Sequence, residues 1–175
     1  MTTLVALLRG VNVGGKNKVP MAELKQELTD LGLEDVVTYI QSGNVVFRTS
    51  DKATAAAKIE KRIKAKYGLR VAVILRTRPE LERIAKANPF RRADTSKVHV
   101  LFLADRPKAS ATKQLDPDRS PPDEFAVKGR EVYLHLPNGA GRSKLTIGYL
   151  EKQLGVAGTQ RNWNTLLKLI ELAGG

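Results

Sequence analysis

The pattern of apolar and polar positions divides the first part of the chain into short elements of changing period. A continuous apolar run at residues 4–8 predicts a buried strand. Residues 20–31 have apolar side chains at helical spacing, so they predict a helix that ends at Gly32. Two β-branched runs then flank the sequence QSGN, in which Gly43 and Asn44 tolerate the positive φ of a tight turn. This part of the pattern predicts an antiparallel hairpin.

A lysine-rich helix and a further strand follow the hairpin, at about residues 51–66 and 69–76. The resulting order, β-α-β-β-α-β, is that of a ferredoxin-like split βαβ unit. After a helix at about residues 79–87, the same order starts again with a strand at residues 97–104. The later elements are a short helix at 108–115, a hairpin at 124–136 that turns at Gly129, a helix at 143–154, a strand at 156–160 and a helix at 162–172.

We therefore predict an α+β fold made of two ferredoxin-like units in tandem. The first would span residues 1–88 and the second residues 89–175, each with an antiparallel or mixed sheet and with helices packed on one face. The two halves share the order of their elements but no visible sequence identity. The predicted duplication therefore rests on that order.

Composition narrows the functional classes. The chain has 175 residues and no cysteine, which excludes disulfide bonds, thiolate metal sites and a cysteine nucleophile. Its apolar runs are too short to span a bilayer, and no positively charged leader precedes the first of them. We therefore expect a cytoplasmic protein without a signal peptide or a membrane anchor.

The formal net charge of +12 favours a polyanionic partner, because a basic surface attracts phosphate groups. The charge is spread along the chain without a basic tail, and the lysine-rich helix is interpreted as a solvated face. Only 5% of the residues are aromatic and no RNA-binding signature is present, which weighs against nucleic acid as the anion.

The first candidate site is the glycine-rich segment GVNVGGKN, residues 10–17, which follows the first strand. It resembles the Walker pattern G-x-x-x-x-G-K-[ST]. However, Asn17 replaces the hydroxyl group that would bind Mg²⁺, and the next helix starts well after the lysine. Two interpretations remain open: a structural turn, or a looser anion site that uses Arg9, Asn12 and Lys16.

A second glycine-rich segment, LPNGAGRSKL, precedes the helix predicted at residues 143–154. Its glycines would let backbone amides point inward, with Arg142, Ser143 and Lys144 at the start of the helix. Cations in a first helical turn oppose the helix dipole unless an anion lies nearby. The segment therefore predicts an anion site or, if Ser143 is only an N-cap, an ordinary helix start.

The third candidate site is the polar segment TQRNWNT, residues 159–165. Arg161 would bind a phosphate or carboxylate through its planar guanidinium group, Asn162 offers an amide, and Trp163 offers a stacking face. In the alternative interpretation, Trp163 continues the apolar stripe of the last helix, and Asn164 or Thr165 caps that helix.

Candidate catalytic groups are few. The two histidines, His99 and His135, lie in predicted strands without an acidic or serine motif beside them. We interpret both as strand residues rather than general bases. No metal-ligand spacing is present, so neither a metal nor a cofactor is predicted.

Five segments in order carry a resemblance to known sequences: LLRGVNVGGKNKVPM, TYIQSGNVVF, NPF, LHLPNGAGRSKL and TQRNWNTLLKL. Together they resemble the uncharacterised, mainly bacterial family known as domain of unknown function 1697. The resemblance implies a duplicated α+β fold and supplies no activity, substrate or catalytic residue. It also implies a set of motif positions, which are Arg9, Gly10, Asn12, Gly14, Gly15, Gln41, Ser42, Gly43, Asn44, Ser143, Lys144, Arg161, Asn162 and Trp163.

Among these positions, Gln41, Ser42 and Asn44 are predicted to form a second patch, apart from Arg9. We expect the first and third strands of a ferredoxin-like unit to run parallel. Arg9 and Ser42 would then lie at opposite ends of the sheet, roughly a strand length or ~17 Å apart.

The resulting hypothesis is a non-enzymatic protein that binds an anionic ligand, either nucleic acid or a phosphate-bearing small molecule. Trp163 would stack on the ligand, and the charge would come from Arg9, Lys16, Arg142, Lys144 and Arg161. One alternative is a small enzyme that acts on a nucleotide-like or acyl substrate in a cleft between the units, with Ser143 and Lys144 or Ser42 as reactive groups. A second alternative is a protein-interaction module.

Overall fold

The computed structural model describes residues 1–175, and its elements follow the predicted order. The strands are β1 (Thr2–Leu8), β2 (Glu34–Tyr39), β3 (Asn44–Thr49), β4 (Val73–Thr77), β5 (Val98–Leu103), β6 (Glu124–Lys128), β7 (Glu131–His135) and β8 (Gly158–Asn162). The helices are α1 (Met21–Asp30), α2 (Ala55–Tyr67), α3 (Arg78–Lys86), α4 (Ala109–Thr112), α5 (Ile147–Leu154) and α6 (Trp163–Ala173). None of these helices has the length and hydropathy that crossing a membrane requires.

The strands form two four-stranded sheets, in the orders β2-β3-β1-β4 and β6-β7-β5-β8. All pairings between neighbouring strands are antiparallel, so the predicted α+β class is confirmed and neither sheet is mixed. The chain divides into two compact units, residues 1–83 with 168–175, and residues 84–167. Each sheet lies in its own unit.

The core of the first unit lies between one face of its sheet and the helices α1 and α2. Leu4, Ala6 and Leu8 point to this face because alternate strand residues share a side of the sheet. They pack in one buried cluster with Leu24 of α1 and Ile59 of α2. Each fully buried leucine contributes about 1.5–3 kcal/mol to folding, so this cluster fixes which strand face turns inward.

The second unit has a corresponding cluster beneath α5. Leu101 of β5 and Leu134 of β7 are buried there together with Leu150 and Leu154, which are four residues apart on the helix. Gly155 ends α5 in the left-handed conformation, with φ of 67°, as the sequence pattern of a glycine stop predicts.

The direction of β3 corrects one prediction. β1 and β3 are antiparallel, with Leu7 opposite Asn44, so the end of β1 and the start of β3 lie at the same end of the sheet. The backbone N–H of Leu8 also donates to the carbonyl of Gly43 at 2.8 Å. The expected separation of Arg9 and Ser42 by a strand length is therefore wrong, because a helical crossover preserves the chain direction and the hairpin then reverses it.

Asp51 precedes α2 and accepts three hydrogen bonds. The backbone N–H of Thr54 donates to its Oδ1 at 3.2 Å, while the Thr54 hydroxyl and Lys58 Nζ donate to its Oδ2, the latter at 2.9 Å. These bonds lower the pKa of the Asp51 carboxyl to about 2, the Thr54 hydroxyl having the largest effect. The helix predicted from about residue 51 begins at Ala55, because the hydrogen bonds between Asp51 and Thr54 hold the preceding residues in a turn.

The variant Asp51→Asn is expected to be less stable than the wild-type protein near neutral pH. Because the folded-state pKa is depressed, the carboxylate stabilises the protein above its ordinary pKa of 3.8, and this contribution is lost as the pH falls through about 2. Urea unfolding at several pH values should show the difference shrinking from pH 4 to pH 2, as these pKa values require. Asp30→Asn serves as the charge control, and a difference as large at pH 2 as at pH 4 would contradict the assignment.

Candidate functional site

Two loops meet at the end of the first sheet where β1 finishes, and Asn12 joins them. Its Nδ2 donates to the carbonyls of Gln41 at 2.7 Å and Val19 at 2.9 Å. Its Oδ1 accepts from the backbone N–H of Val19 at 2.8 Å. Both N–H groups and the oxygen of this amide are thus engaged with backbone. Asn12, a predicted ligand residue, holds the β1–α1 loop against the β2–β3 turn.

The glycine pair of the first candidate segment forms a hairpin tip. Gly14 and Gly15 have φ of 56° and 75°, as both central residues of a type I′ turn require. The turn is closed by a hydrogen bond of 2.9 Å from the N–H of Lys16 to the carbonyl of Val13. Since α1 begins only at Met21, Lys16 lies outside the first helical turn, where a P-loop would cradle phosphate. The structural-turn interpretation describes the backbone here.

The QSGN turn lies beside the same hairpin and is stabilised by hydrogen bonds within the turn. Asn44 is buried, and its Nδ2 donates to the Tyr39 carbonyl and to Ser42 Oγ, each at 3.0 Å. Gly43 has φ of 90°, and a Cβ atom added there would lie 2.5 Å from Val11 Cγ2, so the turn lies close to the β1–α1 loop. The predicted second patch therefore adjoins the first candidate segment, and of its three side chains Gln41 is the most exposed.

The second candidate segment lies before its helix rather than at the helix start. α5 begins at Ile147, and Thr146 is its N-cap, accepting from the N–H of Tyr149 at 3.1 Å. The predicted helix start at Ser143 is therefore wrong, and Ser143 Oγ instead accepts from the N–H of Leu145 at 3.0 Å. Arg142 and Lys144 precede the first turn of α5, so they do not oppose its helix dipole as predicted.

Arg142 and Lys144 are both exposed, and a third cation, Arg119, lies beside Lys144. Arg119 Nε donates to the carbonyl of Lys144 at 2.9 Å, and its guanidinium carbon lies 3.7 Å from the centre of the Tyr149 ring. The N–H of Lys144 donates to Ser120 Oγ at 2.9 Å. The loop between α4 and β6 thus brings an additional arginine to the predicted segment. Sequence reasoning missed this arginine because the contact joins distant parts of the chain.

Most of the third candidate segment is buried. Arg161 in β8 is 6% exposed, and burial lowers its pKa to about 10. Its Nη1 donates to the Gln160 carbonyl at 3.0 Å. Trp163 is also 6% exposed, so it offers no open stacking face. Asn162 caps α6, its Oδ1 accepting from the N–H of Thr165 at 2.9 Å, which corrects the predicted cap at Asn164 or Thr165.

A cavity of about 460 Å³ in the second unit was not predicted. We name it the NPF cavity, because the NPF sequence forms part of its wall. Its lining residues are Asn88, Pro89, Phe90, Arg91, Arg92, Ala93, Glu124 and His135. The volume lies within the range of about 300–1,000 Å³ that is usual for small-molecule sites.

His135 and Glu124 form an ion-pair contact in the wall of this cavity. Glu124 Oε1 lies 3.2 Å from His135 Nδ1, and the two residues are direct partners in the β6–β7 ladder. The Phe90 ring lies 5.7 Å from the imidazole, centre to centre. A carboxylate at Nδ1 orients the imidazole ring. His135 therefore has an acidic partner across the hairpin, although no acidic motif adjoins it in the sequence.

The NPF sequence positions two arginines in the wall of the cavity. Asn88 is buried, and its Oδ1 accepts from the N–H of Phe90 at 2.9 Å, which turns the chain after α3. Arg91 and Arg92 follow this turn and are exposed at the cavity, and the Arg91 guanidinium donates to the Lys86 carbonyl. Two arginines and a histidine thus line one cavity with a single carboxylate.

The other histidine stays a strand residue. His99 lies half-buried in β5, where burial and the nearby charge of Lys97 lower its pKa. No three His, Asp or Glu side chains of the chain lie where they would hold a metal ion together.

The pairing of Glu124 with His135 was readable from the hairpin. A two-residue turn at Gly129 and Arg130 pairs Lys128 with Glu131, and counting outward along both strands then pairs Glu124 with His135. No local sequence pattern predicts that the NPF sequence lies beside Glu124 and His135. Its contacts with these residues depend on the path of the chain between α3 and β5.

Comparison with known proteins places the chain in a family. The family model described as "Protein of unknown function (DUF1697)" matches residues 1–133, which contain the first three of the five recognised segments. Among solved structures, the conserved bacterial protein SP0830 from Streptococcus pneumoniae is 27% identical, with a TM-score of 0.78 over 98% of each chain. The curated proteins gave no match. The chain belongs to the DUF1697 family of proteins of unknown function.

Proposed function

We propose that this protein binds a small anionic ligand, of the phosphate- or carboxylate-bearing class, in the NPF cavity. The observation that carries the proposal is the convergence of Arg91, Arg92 and the Glu124–His135 pair on a cavity of about 460 Å³. Arginine binds phosphate and carboxylate groups through paired N–H donors, and the net charge of +12 favours anions over cations.

Two features favour a small ligand over nucleic acid. The cavity has the volume of a small-molecule site, and Trp163 is buried rather than open for base stacking. The loop that leaves β7 at His135 continues to Arg142 and Lys144, which are exposed. We propose that these two predicted cations attract the ligand from outside the cavity, and that Arg161 supports the fold.

The variant Arg92→Gln is expected to weaken anion binding at least about tenfold, because a charge-assisted hydrogen bond contributes about 1.5–3 kcal/mol. The measurement is isothermal titration calorimetry with inorganic phosphate, a nucleoside monophosphate and citrate. Arg70→Gln removes the same charge from an exposed position of the first unit and serves as the matched control.

Equal affinities for the Arg92→Gln and Arg70→Gln variants would contradict the assignment of the cavity, and no binding of any probe would contradict anion binding there. Titration with a single-stranded oligonucleotide at about 50 mM salt tests the nucleic-acid version, because phosphate contacts are strongest at low salt.

Catalysis in the same cavity is the second candidate, favoured by the distance of 3.2 Å between Glu124 and His135. A carboxylate-oriented imidazole is a common general base. The serines of the earlier enzyme hypothesis accept local hydrogen bonds, Ser143 from Leu145 and Ser42 from Asn44. Hydrolysis of p-nitrophenyl phosphate or acetate that is lost in His135→Gln, with calorimetric binding retained, would favour an enzyme.

We also propose that the two units are tandem ferredoxin-like repeats, divided near residue 88. The support is internal: at equivalent positions Leu8 donates to Gly43 and Leu103 donates to Arg130, both at 2.8 Å. The last strand of each unit also carries a buried arginine, opposite a valine of its central neighbour. A cytoplasmic location remains part of the proposal, since a chain without cysteine suits a reducing compartment.

A further inference from the structure

The first unit carries a surface that the NPF cavity does not explain, at the end of its sheet where β1 finishes. We call it the β1-end surface. It consists of the side chains of Arg9, Val13, Lys16, Lys18, Ile40 and Gln41, all of which are exposed. Val13 is 62% exposed and Ile40 is 49% exposed, so two β-branched apolar side chains stand in solvent.

Ile40 has a backbone conformation that its own side chain disfavours. Its φ of 48° lies in the left-handed region, where a β-branched residue is an outlier and asparagine or glycine would be accepted more readily. Because the Ile40 side chain is about half exposed, its packing within the protein offsets only part of the free-energy cost of this strain. Strained residues of this kind concentrate at binding sites, where the side chain is required for contact. A contact between the Ile40 side chain and a partner would account for this strain.

The loops that present Ile40 and Val13 are fixed in advance of binding. Asn12 ties the two loops together through the carbonyl of Gln41, and Gly43 is bound to the end of β1. Val13 begins the closed hairpin turn that Lys16 ends. A partner would therefore meet apolar groups whose backbone is already ordered, which reduces the entropic cost of association.

The charge of the β1-end surface identifies the partner's chemistry. Residues 1–20 and 36–50 contain no aspartate or glutamate, so both loops are free of acidic side chains. Arg9, Lys16 and Lys18 supply three exposed positive charges on the loop between β1 and α1. A second copy of this chain, at a net charge of +12, would be repelled. Nucleic acid would find aliphatic rather than aromatic side chains here, and bases stack on aromatic rings.

We propose that the β1-end surface docks an acidic peptide segment of a partner protein. Apolar side chains of that segment would contact Val13 and Ile40, and its carboxylates would lie near Arg9, Lys16 and Lys18. This interaction is separate from ligand binding in the NPF cavity, whose lining residues all belong to the other unit.

The test starts with a phage-displayed library of random peptides of about a dozen residues, the length of typical peptide-recognition segments. The library is selected on the full-length protein and counter-selected on the combined variant Val13→Ser, Lys16→Gln and Ile40→Asn. Selected peptides are then synthesised and their affinities measured by fluorescence anisotropy at low and high salt. We expect acidic peptides with large apolar residues, and binding that weakens as salt rises.

Single variants separate docking from folding. Ile40→Asn is expected to weaken peptide binding at least about tenfold, as the loss of a central apolar anchor does, and to leave the melting temperature unchanged or higher, because asparagine accepts positive φ. Ile147→Asn, which removes another exposed isoleucine, is the matched control and should leave binding unchanged. Lys16→Gln should weaken binding more than Lys61→Gln, which removes an exposed lysine of α2.

Several outcomes would overturn the proposal. They are a library that yields no peptide dependent on the β1-end surface, selected peptides without acidic residues, or equal binding by the Ile40→Asn and Ile147→Asn variants. Tighter binding of a single-stranded oligonucleotide than of any peptide, lost in Lys16→Gln but kept in Ile40→Asn, would assign the surface to nucleic acid instead. A clear fall in melting temperature for Ile40→Asn would show that the Ile40 side chain stabilises the fold, which contradicts its assignment as a strained contact residue.

Discussion

Replacing Gly43 with alanine is expected to lower the free energy of unfolding by about 3–4 kcal/mol, more than a typical point substitution. A Cβ atom at this position would lie 2.5 Å from Val11 Cγ2 and 2.8 Å from Leu8 Cβ, closer than van der Waals contact permits. The φ of 90° adds the ordinary cost of a left-handed backbone for an L-residue. Neither contact can be relieved by the far end of a long side chain, so the turn itself has to move.

Gly14→Ala is the matched control for this prediction. Gly14 also has a positive φ, of 56°, but a Cβ atom there would meet nothing within 4 Å. We expect a loss of about 1 kcal/mol, the backbone contribution alone. Urea unfolding of both variants separates the two effects, and similar losses would show that the close approach at Gly43 does not exist.

The elements of this fold were predictable because local signals agree with tertiary packing. Continuous apolar runs marked β1 and β5, and glycine ended α2 at Gly68 in the left-handed conformation, as expected of a C-terminal stop. The errors in the predicted helix starts have a common cause. At α2 and α5 the N-cap residue, Thr54 or Thr146, lies three residues after the predicted start at about residue 51 or at residue 143.

The arrangement of the candidate residues was less predictable, for two different reasons. The predicted distance between Arg9 and Ser42 depended on the topology of the sheet. Because β1 and β3 were expected to run parallel, their loops were placed at opposite ends of the sheet, whereas the structure brings them together. The burial of Arg161 and Trp163 has no such local signal, because the same residues in TQRNWNT suit a binding site or a helix start. Sequence identifies chemistry at these positions, and only packing decides whether solvent reaches it.

The same distinction separates scaffold from surface among the family motif residues. Asn12, Gly43 and Asn44 are engaged in the backbone of the two loops, whereas Arg9 and Gln41 are exposed beside them. A motif of this kind serves two purposes at once, since the first group fixes the loops on which the second group is displayed. Substitutions in the first group should therefore affect stability, and substitutions in the second group should affect binding.

Asn12→Ala tests this division most directly and is expected to lower the free energy of unfolding by about 3 kcal/mol, because each lost hydrogen bond contributes about 0.5–1.5 kcal/mol and alanine tolerates positive φ less well. The Asn12 side chain makes three hydrogen bonds, and its φ is 55°. Asn17→Ala is the matched control, since Asn17 has φ of 53° and makes one side-chain bond, to the Gly10 carbonyl at 3.0 Å.

Urea unfolding of the two asparagine variants decides between the scaffold and the ligand roles of Asn12. The scaffold role requires a loss for Asn12→Ala that exceeds the loss for Asn17→Ala by about 2 kcal/mol, the difference of two hydrogen bonds. Hydrogen exchange should also quicken at the N–H of Val19, which loses its acceptor, more than in the core strands. Wild-type stability in Asn12→Ala, combined with weakened anion or peptide binding, would instead make Asn12 a ligand residue.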